Sequence, residues 1–210
     1  MMKKSFYVFL LPLLLLSCSK EEDDSLEKIT DTIIGRYECR SATIQGRPLD
    51  LNEDGTAEDD MIAEFKGFDI YNWFWQDLQT SVSPVKSYGE KRLIYITIPK
   101  QRVNYDKRTG EYTFKAMFGD ILYIGFEYSV EESGKIITEP DMKGGNDYSY
   151  EDDSMIELID YRNNCGRSLS FDQAGGFEAL VDCTCYDFAT DDMVTVPILF
   201  VYERVSYSLY

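Results

Sequence analysis

The stretch Asp50-Leu51-Asn52-Glu53-Asp54-Gly55, followed by Thr56 to Asp60, has the most specific chemistry in the chain. Oxygen-bearing side chains at loop positions 1, 3 and 5, with glycine at 6 for the sharp turn, are how EF-hand loops wrap Ca²⁺. Asp50, Asn52 and Asp54 fill the first three places, and Thr56 offers its carbonyl at the seventh. Glu58 stands at the ninth, able to act directly or through water. The pattern departs at its end, where Met61 replaces the bidentate acid and Asp60 lies one place early. Asp50, Asn52, Asp54, Thr56, Glu58 and Asp60 are thus the candidate donors for a structural calcium ion. The competing reading is an Asx-rich connection, because Asp, Asn and Gly are the usual turn formers.

Tyr71, Trp73, Phe74 and Trp75 form the densest aromatic cluster. Tyr71, Trp73 and Trp75 are a candidate platform for stacking on a sugar ring, and the alternative is that they close one end of the core. Four cysteines besides Cys18 are Cys39, Cys165, Cys183 and Cys185. An even count outside the cytoplasm permits two disulfides with three connectivities. Cys183 and Cys185 alternate onto one strand face, a poor spacing for a bond to each other. That spacing suits buried thiols, the favoured reading, or one bond each to Cys39 and Cys165. Glycosidases need only two carboxylates, and Glu127, Asp182, Asp187 and Glu203 are candidates. None falls in a catalytic motif, so no catalytic residue is expected and the chain reads as a non-enzyme.

The whole composition supports that expectation. The chain has 210 residues, 38 of them acidic and 21 basic, for a formal net charge of −17, and it contains no histidine. Without imidazole there is no Ser-His-Asp triad, Cys-His pair or histidine zinc site. So acidic a chain lacks the clustered Lys and Arg that phosphate contacts need, which excludes nucleic acid as a partner. At 44% hydrophobic and 14% aromatic it is too apolar to be wholly disordered.

The N-terminus reads as an address. Lys3 and Lys4 precede an apolar run from Phe6 to Leu16 that is too short to span a bilayer as a helix. The run ends in Leu15-Leu16-Ser17-Cys18, which resembles a bacterial lipobox. The resemblance implies cleavage after residue 17 and acylation of Cys18 on its thiol and its new amino group. Two or three acyl chains hold a protein firmly, at about 0.8 kcal/mol per buried CH₂. Ser19-Lys20-Glu21-Glu22-Asp23-Asp24-Ser25 is a charged tether. It resembles the surface-export signal of Bacteroidota lipoproteins, which implies the outer membrane and its external face. The expected divisions are a signal peptide at 1–17, an acidic tether at 18–30 and one domain at 31–210.

From residue 36 onward, alternation with period two predicts strands. Lys91–Pro99 places Ile94, Ile96 and Ile98 on one side. A hairpin is expected from Glu111 to Val130, with Tyr112, Phe114, Ala116 and Phe118 on one face and Gly119-Asp120 as its turn. Turns at Asp106–Gly110, Glu131–Gly134 and Asp172–Gly176 punctuate further strands, and Met155–Tyr161 is another. Phe177–Phe188 aligns Phe177, Ala179, Val181, Cys183 and Cys185. Met193–Val205 aligns Val194, Val196, Ile198, Phe200 and Tyr202, and Pro197 on its other face predicts an edge or a bulge. Asp59–Lys66 is the one expected helix, with Asp59 as N-cap and Met61, Ile62 and Phe65 as its apolar stripe. Glu139–Asp153 reads as an acidic loop.

Gly35-Arg36-Tyr37-Glu38, then Gly46-Arg47-Pro48-Leu49, then the Asp50–Gly55 loop and a short helix, resemble the opening of lipocalin-like domains in Bacteroidota lipoproteins. That resemblance implies an all-β fold, an antiparallel meander closing into a barrel of about eight strands. The expected function is a lipid-anchored cell-envelope binding protein that holds a small apolar molecule or a glycan in its barrel. The alternative is a structural or protein-interaction lipoprotein with a filled barrel, partnering other outer-membrane proteins.

Overall fold

The computed structural model describes residues 33–66, 79–82, 92–99, 101, 103–114, 121–131, 133, 135–141, 164–172 and 175–207. Its elements run β1 (Gly35–Ile44), α1 (Met61–Lys66), β2 (Gln79–Val82), β3 (Arg92–Pro99), β4 (Val103–Asp106), β5 (Glu111–Phe114), β6 (Ile121–Val130), β7 (Ile136–Pro140), β8 (Cys165–Phe171), β9 (Phe177–Asp187) and β10 (Asp192–Ser206). The leader, Cys18, the tether, the aromatic cluster Tyr71–Trp75, the turn Gly119-Asp120, most of the acidic loop and the strand expected at Met155–Tyr161 lie outside the described residues.

The described fold is mostly β, and every strand pairing is antiparallel. A five-stranded sheet of order β2-β1-β10-β9-β8 curls into a half-barrel. A second sheet has order β3-β6-β7, and β4 with β5 forms a separate hairpin. Neighbours in space follow chain order, with β4–β5 as an excursion: β2 lies beside β3, β7 lies beside β8, and β10 returns to β1. At the first seam, the Thr97 amide donates to Thr80 Oγ1 at 3.3 Å. At the second, the Thr138 hydroxyl donates to the Leu169 carbonyl.

Alternation places the core between the sheets. Ile94, Ile96 and Ile98 from β3 belong to one core with Phe177, Ala179, Val181, Cys183 and Cys185 from β9, all at most 4% exposed. Phe200 and Tyr202 of β10 join them, and the buried Tyr202 hydroxyl reaches the Thr97 carbonyl at 2.9 Å. The Phe126 ring of β6 lies against Gly166 of β8, where an added Cβ would sit 2.5 Å from Cζ. Tyr37 packs on Phe177 with ring centroids 5.0 Å apart, and the Arg204 guanidinium lies 5.4 Å over its ring.

Two bulges reset the alternation. In β1, Cys39 pairs with Tyr202 but Ser41 pairs with Val201, so Arg40 is an extra residue. The inward set therefore moves from odd (Tyr37) to even (Ala42, Ile44). In β8, Arg167 is extra between Gly166 and Ser168. Each bulged arginine takes a carboxylate: Arg40 holds Glu38 at 2.9 Å and Glu203 at 2.8 Å, and Arg167 holds Asp182 at 2.6 Å.

Three expectations are corrected. The single hairpin from Glu111 to Val130 is not what pairs: β5 pairs with β4, and β6 pairs with β3. Tertiary contacts decide this. The Tyr112 ring lies 4.6 Å from that of Tyr186 and Phe114 lies 6.0 Å from Phe65, which docks β5 against β9 and α1. The helix cap is Asp60 rather than Asp59, because Asp60 Oδ1 accepts the Ile62 amide at 2.9 Å. Pro197 marks neither an edge nor a bulge, since β10 is flanked by β1 and β9 and stays in register there. Its carbonyl accepts from Gln45 just past the end of β1, so the missing N–H falls where that ladder has run out.

Candidate functional site: the acid-rich loop after β1

After β1 the chain reverses and runs back along itself. Ile44 donates to the Asp59 carbonyl at 2.7 Å, and Leu49 and Glu58 exchange both backbone bonds at 3.0 Å. This neck closes residues 50–57 into a loop. Leu49 and Leu51, both 0% exposed, anchor its entry in the core.

Inside the loop the side chains of Asp50, Asn52, Glu53 and Asp54 each bond to backbone. Asp50 Oδ2 accepts the Gly55 amide at 3.0 Å, Asn52 Oδ1 accepts that of Asp54 at 3.0 Å, and Asp54 Oδ1 accepts that of Thr56 at 2.8 Å. Glu53 adopts a left-handed conformation, φ 63°, and its Oε2 accepts the Phe114 amide at 2.6 Å, tying the loop to β5. Asn52 Nδ2 donates to the Glu64 carbonyl at 2.7 Å and to Asp54 Oδ2 at 3.2 Å. Glu64 reaches back from α1, its Oε2 accepting the Leu51 amide at 2.7 Å.

The loop is also positioned by the free edge of β9. The last β8–β9 pair is Cys165 with Asp182, and beyond it the β8 side of β9 has no strand partner among the described residues. Other groups complete the ladder in steps of two. Asn164 Oδ1 accepts from Thr184 at 2.6 Å. Gln101 Oε1 accepts from Tyr186 at 2.7 Å, and its Nε2 donates to the carbonyls of Tyr186 and Leu51, both at 2.8 Å. The Asp50 carbonyl then accepts from Phe188 at 2.9 Å. Asp187, 0% exposed, accepts from the Asp50 amide at 3.1 Å, the Ala189 amide at 3.1 Å, the Thr190 hydroxyl at 2.8 Å and Arg47 at 2.5 Å.

Of the candidate calcium donors, the structure brings Asp50, Asn52 and Asp54 together, and Thr56 joins them through its amide. Glu58 supplies backbone to the neck and is exposed, while Asp60 spends Oδ1 on the helix cap. The spacing argument did not include Glu64, which is 1% exposed. Its signal was present: Glu64 is three residues after Met61 and one before Phe65, so the helical period puts a carboxylate on the buried face. Gln101 and Asp187 act by gripping backbone, which no residue spacing announces.

Burial and the neighbouring Asp50 and Asp54 push the Glu64 carboxyl up to about 7, while its bond from Leu51 pulls the other way. Asp50 is 2% exposed, and its Oδ1 has no hydrogen-bond partner among the described residues. Burial also tends to raise Asp187, but its bonds from Thr190, Arg47, Asp50 and Ala189 outweigh this and leave it below its ordinary value.

Cys39, Cys165, Cys183 and Cys185 are free thiols. Burial pushes Cys39 and Cys185 up to about 12, so both stay protonated. The chain matches no family model, no curated protein and no solved structure.

Proposed function

We propose that the protein is a lipid-anchored, non-enzymatic constituent of the outer-membrane surface, a lipocalin-like barrel filled by its own side chains that acts through its exterior on other outer-membrane proteins. The observation that carries this reading is the inner face. Tyr37, Phe126, Phe177, Phe200 and Tyr202 are at most 1% exposed, and with their neighbours they form one continuous core. A ligand cavity of about 300 Å³ or more would leave such rings bordering open space. Barrel closure is supported by the order of the strands: chain neighbours are space neighbours, and β10 returns to β1. The address rests on Lys3, Lys4, the apolar run and Cys18.

A non-catalytic role is supported by how the acids are used. Asp187 is saturated with donors, and Asp182 and Glu203 are held by arginines. A general acid–base pair needs two carboxylates poised apart in pKa in a cleft that admits substrate. Titration with an environment-sensitive apolar fluorophore, and separately with soluble glycans, tests the filled barrel. No saturable binding is expected. Stoichiometric binding of either probe would return the reading to a ligand carrier. Cys18→Ala should move the protein from the membrane to the soluble fraction, and retention with the lipid-anchored fraction would overturn the address.

A further inference from the structure

We infer that the loop is a calcium site whose donors are the carboxylates of Asp50, Asp54 and Glu64, a set that differs from the one the sequence spacing suggests. Asp50 and Glu64 are 2% and 1% exposed, and Asn52 links the Glu64 carbonyl to the Asp54 carboxylate. Among the described residues, no Lys or Arg forms an ion pair with any of the three. Burying uncompensated carboxylates is costly, and proteins ordinarily answer with a paired cation, a metal or a proton.

The unpartnered oxygen of Asp50 points to a ligand. Its Oδ2 takes the Gly55 amide from the opposite arm of the loop, which aims the carboxylate across the loop, and Oδ1 is left buried without a donor. An acceptor so buried costs about 1–3 kcal/mol unless something satisfies it. The donors are all hard oxygens, with no histidine or thiolate, which selects calcium or magnesium over zinc or copper. Calcium takes six to eight oxygens in adaptable geometry, whereas magnesium demands a near-ideal octahedron. A loop of carboxylates and backbone carbonyls suits the former.

The three carboxylates do not already converge on one point among the described residues. Loading therefore exchanges the weakest bond of the loop, Asn52 Nδ2 to Asp54 Oδ2 at 3.2 Å, for a metal contact. Glu64 supplies from the exiting helix the acid that Met61 cannot supply at the twelfth position. Asn52 is a positioning residue: its amide points at Glu64 and Asp54.

The test uses the purified mature protein, freed of metal with a chelator. Calcium should raise the melting temperature with a dissociation constant of about 10⁻⁴ to 10⁻³ M, and magnesium should do so at least tenfold less effectively. Terbium, a luminescent stand-in for calcium, should bind and be displaced by calcium. Asp50→Asn and Glu64→Gln should each weaken binding at least tenfold, whereas Glu58→Gln should leave it unchanged. If the variants do not fold, displacement of terbium from the wild type still decides. No calcium response at millimolar concentration overturns the site. Loss of the response in Glu58→Gln overturns the donor set.

Discussion

Gln101 is the residue on which the loop and the β9 edge jointly depend, and its removal has a calculable cost. It is 3% exposed, and its carboxamide makes the ladder bonds that one residue of a neighbouring strand would make. It satisfies the N–H and C=O of Tyr186 at 2.7 and 2.8 Å and the Leu51 carbonyl at 2.8 Å. Gln101→Ala leaves one donor and two acceptors of the backbone buried and unpaired. At about 1–3 kcal/mol for each such group, reduced by entry of water into the vacated space, the expected loss is about 3–5 kcal/mol. For a domain of this size that lowers the melting temperature by about 6–20 °C. Gln101→Glu should cost at least as much despite keeping the volume, because a carboxylate would face two carbonyl oxygens. Urea unfolding gives the stability, and amide hydrogen exchange at Tyr186 gives the local consequence: its protection should fall to the level of an exposed edge. A loss below about 1 kcal/mol with Tyr186 still protected would refute the reasoning.

Two further outcomes follow from particular contacts. Gly166→Ala places a Cβ 2.5 Å from Cζ and 2.6 Å from Cε1 of the fully buried Phe126, so it should cost about 1–3 kcal/mol by overpacking; unchanged urea unfolding would show the two sheets to be more loosely joined. In chelator-treated protein, Glu64 should make stability fall as pH rises from about 4.5 to about 7, because in that window the folded state holds a proton that the unfolded chain releases. The full shift corresponds to about 3 kcal/mol as an upper bound, and a change of about 1–2 kcal/mol is expected. Glu64→Gln should flatten this slope relative to wild type, and identical pH profiles for the two proteins would contradict it.

The parts legible in the sequence are those set by local periodicity. Ile94, Ile96 and Ile98 alternate inward as their spacing required, as do Phe177 to Cys185, because a strand with one buried face must repeat every two residues. Alternation cannot name a partner, so the run from Glu111 onward reads as a hairpin although β5 and β6 pair elsewhere. Nor can it foresee the bulges at Arg40 and Arg167, where one extra residue moves the inward set from odd to even in β1 and from even to odd in β8. The loop was legible as a cluster of Asx turns and oxygen donors. Its supports were not, because Gln101 grips backbone 85 residues away and Asp187 grips it 137 residues away. A side chain bonding to main chain leaves no complementary residue type to search for. Glu64 was legible in principle, once the helical stripe from Met61 to Phe65 is read through the charged position as well as the apolar ones.

The proposal of a filled barrel is tested most directly by Phe200→Ala with benzene as probe. Phe200 is 0% exposed. In a filled barrel its truncation should cost about 3–5 kcal/mol, and the dry cavity left behind should bind benzene, restoring part of the melting temperature, while benzene leaves the wild type unaffected. A loss below about 1.5 kcal/mol, with the wild type itself stabilised by benzene, would show that the barrel already holds a cavity and would contradict the account.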